Sequence, residues 1–166
     1  MSKPTGRARG LTHLDRHGAA RMVDVGAKPV TAREAVARGI VRLPRECARA
    51  LARGGDTAKG NVLQIARLAG IMAAKRTAEL IPLCHQVPLD AVEVEFDLMG
   101  ATLAIAARAT CSGRTGVEME ALVAVSAAAL TVYDMLKALS HDRVIERVEL
   151  VSKRGGRSGV IQRKPR

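Results

Sequence analysis

The clearest periodic signal in the chain lies over residues 91–98, where Val92, Val94, Phe96 and Leu98 alternate with Glu93, Glu95 and Asp97. A repeat of two predicts a strand with one buried and one wet face. Met99-Gly100 then offers a turn into a second strand near 102–110, in which Leu103, Ile105 and Ala107 share a side, so the pair reads as a hairpin. Two long stretches have the helical pattern instead. Residues 61–80 lack proline and are apolar around most of their circumference, and residues 117–139 contain the run Ala121 to Tyr133, broken only by Ser126 and Thr131. Helices this apolar are buried on two sides or covered by another subunit. Thirteen residues are too few to cross a bilayer.

Shorter signals fill the gaps. Met22-Val23-Asp24-Val25 reads as a short strand, and Thr31 with Glu34 three places on has the spacing of a capping box. Ile40–Leu43 is a strand candidate. Pro44 suits a first helical turn running to Arg53, where Gly54-Gly55 stops it. Pro82 and Pro88 hold the segment between them as a loop, Gly113 and Gly116 bracket a tight connection, and Val144 to Val151 is a last strand. Two long helices over an antiparallel sheet with one exposed face make an α+β two-layer sandwich.

At 166 residues and 48% hydrophobic content the chain fits one domain and is too apolar for disorder. The expected organisation is a flexible basic tail over 1–10, a single catalytic α+β domain over 11–159 and a basic tail over 160–166. The net charge of +11 invites a nucleic-acid reading until it is located: residues 1–10 and 152–166 hold nine Lys and Arg and no acid, which leaves +2 for the body. With one Tyr, one Phe and no Trp there is also little to stack on bases, so a nucleic-acid partner is not expected. No signal segment or membrane span is read, which implies a cytoplasmic protein without a membrane partner. Cys47, Cys84 and Cys111 are odd in number and widely spaced, which supports neither a disulfide framework nor a zinc site, and no metal ligands are assigned.

Several polar residues sit where a plain core would not put them. Asp134 and Lys137 share a face near the end of the second helix. Glu118 and Glu120 lie in its first turn, where carboxylates suit the dipole. His85 stands in the proline-bounded loop beside Cys84, where an imidazole can move protons near neutrality. Lys59-Gly60 precedes the first long helix like an anion site, without the spacing of a Walker A loop, and Lys75-Arg76 lies near that helix's C-terminal end. Lys153-Arg154-Gly155-Gly156-Arg157 joins cations to glycines that let a backbone approach an oxyanion. Singly these readings are weak. Together they suit a small polyphosphate undergoing acid–base chemistry.

At these same residues the chain resembles the cyclic pyranopterin monophosphate synthase family, also called molybdenum cofactor biosynthesis protein C. The blocks that carry the resemblance include Met22-Val23-Asp24-Val25, Lys59-Gly60-Asn61-Val62, Ala73-Ala74-Lys75-Arg76-Thr77, Leu80-Ile81-Pro82-Leu83-Cys84-His85, Gly113-Arg114-Thr115-Gly116-Val117-Glu118-Met119-Glu120, Leu130-Thr131-Val132-Tyr133-Asp134-Met135 with Lys137, and Lys153-Arg154-Gly155-Gly156-Arg157, in order over about residues 11–159. It begins with Leu11-Thr12-His13.

The resemblance implies a ferredoxin-like subunit in a hexamer built as a trimer of dimers, with active sites at subunit interfaces. It implies a lyase that converts 3′,8-cyclo-7,8-dihydro-GTP to cyclic pyranopterin monophosphate with release of pyrophosphate. By motif it assigns Lys59, Asp134 and Lys137 to catalysis. It places Leu83, Cys84, His85, Glu118, Met119, Glu120, Arg33, Lys75, Arg76 and Lys153 around the substrate. It names no certain cofactor, with Mg2+ compatible with the triphosphate. The chain departs from the family pattern at Gln86-Val87, at Glu146-Arg147 in place of a common Gly-Pro pair, and at Arg154.

Overall fold

The computed structural model describes residues 18–157 and 159–163. Residues 1–10 and the Leu11-Thr12-His13 block lie outside them. The element order is β1 (Thr31–Arg42), α1 (Arg45–Ala52), β2 (Asp56–Thr57), β3 (Gly60–Asn61), α2 (Val62–Ala74), α3 (Thr77–Leu80), β4 (Ala91–Met99), β5 (Thr102–Gly113), α4 (Glu118–Leu136), β6 (Val144–Arg154) and β7 (Ile161–Gln162). Five strands form one sheet in the order β4-β5-β1-β6-β7, every pair antiparallel, and β2 and β3 make a separate ribbon. Setting aside the small pieces, the path is β-α-β-β-α-β with the main helices α2 and α4 packed together over one face, a ferredoxin-like α+β sandwich as the sequence led us to expect.

The hairpin β4–β5 follows the alternation closely. Leu103, Ile105 and Ala107 are buried, Glu93, Glu95 and Asp97 are exposed, and Gly100 supplies the left-handed turn residue with φ 59°. With almost no aromatic side chains, the two layers must approach closely to exclude water, and glycine makes that approach possible at two points. A Cβ on Gly39 of β1 would lie 2.5 Å from Val125 Cγ1 of α4. A Cβ on Gly70 of α2 would lie 2.8 Å from the Ala124 carbonyl oxygen. α4 is therefore gripped between a strand and a helix, with Ala121, Ala124, Val125, Ala128, Ala129 and Val132 buried along it. At 19 residues α4 is long and apolar enough to cross a membrane by length and composition, more than the run to Tyr133 suggested. More than half of it is buried within its own fold, as a core helix is.

The structure corrects three local expectations. Thr31 does not cap a helical turn; it opens β1, opposite Gly113 of β5. Segment 22–25 is not a strand; it lies outside the sheet, where the Val23 carbonyl accepts a hydrogen bond from His85. Residues 61–80 are not one helix: Arg76 leaves the helical region at φ −114°, ψ 17°, and Thr77 Oγ1 donates to the Ala74 carbonyl at 2.9 Å, terminating α2. The tail read over 160–166 also departs from expectation, since it includes β7, which pairs with β6 through Ser152–Gln162 and Lys153–Ile161.

Candidate active site

Functional side chains collect at the two ends of α4. At its C-terminal end Lys137 Nζ donates to Asp134 Oδ1 at 2.7 Å, and Lys59 Nζ lies 3.5 Å from Asp134 Oδ2. Lys59 reaches this position because the β2–β3 turn is stiffened from within. Its backbone N–H donates to Thr57 Oγ1 at 3.2 Å, and that hydroxyl donates to the Gly60 carbonyl at 2.8 Å. Asn61 then caps α2 by accepting from Gln64 N–H and donates to the Gly54 carbonyl at 2.6 Å. The three charged side chains are about half exposed, at 57, 55 and 52% for Lys59, Asp134 and Lys137. The hydrogen bond from Lys137, then the charges of Lys137 and Lys59, hold the Asp134 carboxyl below its ordinary value. Lys59 and Asp134 thus meet within a single chain.

At the N-terminal end of α4 a cavity of about 440 Å³ is lined by Val23, Val25, Lys28, Leu83, Cys84, His85, Val87, Thr115, Gly116, Glu118, Met119 and Glu120. The proline-bounded loop forms one wall and the first turn of α4 the other. Gly116 leaves room for the Glu118 carboxylate, since a Cβ there would fall 1.8 Å from Glu118 Oε2 and displace it. Lys153 Nζ donates to Glu118 Oε1 at 2.5 Å and so brings β6 to the cavity wall. His85 Nε2 bonds the Val23 carbonyl at 2.7 Å; a carbonyl only accepts, so that nitrogen carries the hydrogen. Glu120 is 4% exposed, and burial, reinforced by the Glu118 charge, pushes its carboxyl up to about 7. It is poised to gain or lose a proton near neutrality. Burial and the neighbouring Glu120 also raise the Cys84 thiol, which keeps it protonated and a poor nucleophile.

A second cavity of about 590 Å³ adjoins the first, sharing Lys28, Thr115 and Gly116, and adds Arg33, Arg114, Arg157 and Gly156. Its lining holds four cations and no acid. Arg33 Nε donates to the Gly113 carbonyl and Arg114 Nε to the Lys28 carbonyl, both at 3.1 Å, so two of the guanidinium groups are held by backbone. This is a setting for a multiply charged oxyanion. Of these residues Arg157 was read within the cation–glycine segment 153–157 and Arg33 was assigned by the family resemblance. Arg114 stood inside a motif block, and nothing in the chain pattern pointed to Lys28.

The structure thus gathers Leu83, Cys84, His85, Glu118, Met119, Glu120 and Lys153 at one end of α4, with Arg33 next door, and Lys59, Asp134 and Lys137 at the other. Lys75 and Arg76 are exposed at the α2–α3 junction and line neither cavity. Among the described residues, no group of three His, Cys, Asp or Glu side chains is arranged to hold a metal ion.

A ferredoxin-like α+β domain with a buried carboxyl pushed up to about 7 beside a cation-lined cavity has the make-up of an enzyme. The sequence matches the MoaC family model over residues 22–156, and the chain belongs to that family. It is 59% identical over 155 residues to a protein of Thermomicrobium roseum, covering 92% of this chain and 93% of that protein. It is 56% identical over 149 residues to one of Novosphingobium aromaticivorans, covering 90 and 94%. A protein of Heliobacterium modesticaldum is 56% identical over 151 residues, covering 90 and 94%. All three are named cyclic pyranopterin monophosphate synthase.

Proposed function

We propose that this chain converts 3′,8-cyclo-7,8-dihydro-GTP to cyclic pyranopterin monophosphate and pyrophosphate, a step of molybdenum cofactor synthesis. The observation that carries this reading is the meeting of Lys59, Asp134 and Lys137 in one cluster, at 3.5 and 2.7 Å, in a chain of this family. In that cluster the ammonium groups donate protons or stabilise charge that develops during ring opening, and Asp134, held ionised, orients them. Glu120 exchanges a proton near pH 7 and His85 binds substrate beside it. Arg33, with Lys28, Arg114 and Arg157, neutralises the phosphates while a ribose hydroxyl displaces pyrophosphate. Lys153 steadies Glu118, and Lys75 and Arg76 present charge at a subunit seam. Among the described residues no group of three His, Cys, Asp or Glu side chains converges on a metal position, so an Mg2+ would be carried by the triphosphate itself.

One copy does not supply a single compact site. Glu118 and Asp134 are 16 residues apart on α4, about 24 Å at the helical rise. A second copy crossing antiparallel would bring the lysine cluster of each chain to the cavity of the other. The outer faces of α2 and α4 offer an apolar surface for that crossing, with Leu68, Met72 and Leu130 exposed. This supports dimers, which we propose assemble three to a hexamer in the cytoplasm.

The test is incubation of the purified assembly with the cyclised nucleotide, followed by assay for pterin and pyrophosphate. Formation of both in equal amounts is expected, and the absence of pterin overturns the reading. Light scattering on the same sample checks the hexamer.

A further inference from the structure

The motif departure at Glu146-Arg147 and the tail beyond residue 157 play no part in the site just described, yet they meet on the open face of the sheet. Glu149 of β6 is 8% exposed and accepts from three guanidinium groups: Arg38 at 2.7 Å and Arg147 at 3.4 Å on Oε1, and Arg163 at 3.1 Å on Oε2. Arg163 directly follows β7, and its backbone N–H donates to the Val151 carbonyl at 2.8 Å. β7 itself is two exposed residues long, and Val160 and Ile161 are 67 and 49% exposed, so apolar burial does little to hold it. The connection back to β6 contains Gly155, Gly156 and Gly159, all at positive φ, a costly segment to order without an anchor at its far end.

That connection forms part of the cation-lined cavity. A Cβ on Gly156 would lie 2.0 Å from Arg33 Nη1, and one on Gly155 would lie 2.2 Å from the Ala32 carbonyl oxygen, so the loop lies directly against the start of β1. Arg157 projects from it into the cavity beside Lys28, Arg33 and Arg114. Lys153 pairs with Ile161 of β7 on one side, but its pairing with Ala35 of β1 on the other ties it to the body of the sheet as well.

We propose that the Arg163–Glu149 ion pair is a latch that fixes β7 and, through the glycine loop, holds Arg157 in the anion cavity. Arg163 and Glu149 are positioning residues; they touch no substrate. The inference rests on the polyphosphate reading of that cavity, and the experiment separates the two. Inorganic pyrophosphate binding to the full-length assembly is measured by calorimetry for wild type, Arg157→Ala, Arg163→Ala, Arg163→Lys and the Arg157→Ala/Arg163→Ala double variant.

The latch predicts that Arg163→Ala weakens pyrophosphate about fivefold and that Arg163→Lys recovers part of the loss. The double variant binds no worse than Arg157→Ala alone, because Arg163 acts through Arg157. In turnover Arg163→Ala raises KM and leaves kcat within about twofold. Wild-type affinity in Arg163→Ala, or losses that add in the double variant, overturns the latch. Wild-type affinity in Arg157→Ala overturns the polyphosphate reading itself, and the latch with it.

Discussion

The two ends of α4 carry the same kinds of side chain and put them in opposite states. At the C-terminal end Asp134 stands half exposed between Lys59 and Lys137 and is held ionised by them. At the N-terminal end Glu120 is buried, and desolvation drives its carboxyl to about 7. A carboxyl group thus becomes a fixed charge or a proton carrier according to what surrounds it, and one helix provides both settings. The charge cluster stays wet and open to a partner, while the proton carrier is buried in a cavity wall.

The strongest way to break this contrast is at the wet end. Lys59→Ala or Lys137→Ala should reduce product formation by at least about a thousandfold with the assembly intact, read by pterin fluorescence and light scattering. Turnover at the wild-type rate in either variant refutes the catalytic role of the cluster. Glu120→Gln comes next, with a loss of about a hundredfold expected. The limb of the pH–rate profile near 7 should vanish with it, because the group that titrates there is gone.

The same variant sharpens the contrast through stability. A carboxyl whose folded pKa is raised from 4.5 to about 7 binds more protons folded than unfolded, so it costs stability as pH rises through that window. The cost is at most about 3 kcal/mol above pH 7. Glu120→Gln should therefore gain on wild type in urea melts between pH 4.5 and 7, and a constant difference across that range argues against the shift. Cys84→Ser should do least, changing turnover by less than about twofold, since a raised thiol offers no thiolate. A large loss there would assign the sulfur a chemical role.

Legibility in the sequence followed the side chains that carry the pattern. β4 and β5 were plain because branched and aromatic residues alternate with acids over 91–98, and Leu103, Ile105 and Ala107 alternate with Thr102, Ala104 and Arg108 after it. β1 was the miss. Its inward positions are Ala35, Ala37, Gly39 and Val41, chosen for close approach by α4, and small residues give little hydrophobic contrast. The break at Arg76 was hidden because Thr77 ends α2 through a local bond to Ala74 that apolar periodicity does not register.

In the site, motifs named most of the residues but not their grouping. That Lys59 reaches Asp134 depends on a ribbon of two-residue strands whose turn is shaped by Thr57. Lys28 and Arg114 become cavity walls because the segment before β1 crosses the loop after β5, where Arg114 holds the Lys28 carbonyl. Contacts of this kind are tertiary and leave no local trace.

Because α4 separates the two chemistries, its residue count is a constraint of its own. One extra residue between Glu118 and Asp134 would swing the acid about 100° around the axis and carry it forward by about 1.5 Å. Val125 and Ala124, seated over Gly39 and Gly70, would lose their places in the same step. An insertion inside that span would therefore cost both the packing and the spacing of the two chemistries, whereas one in a surface loop is free of this constraint.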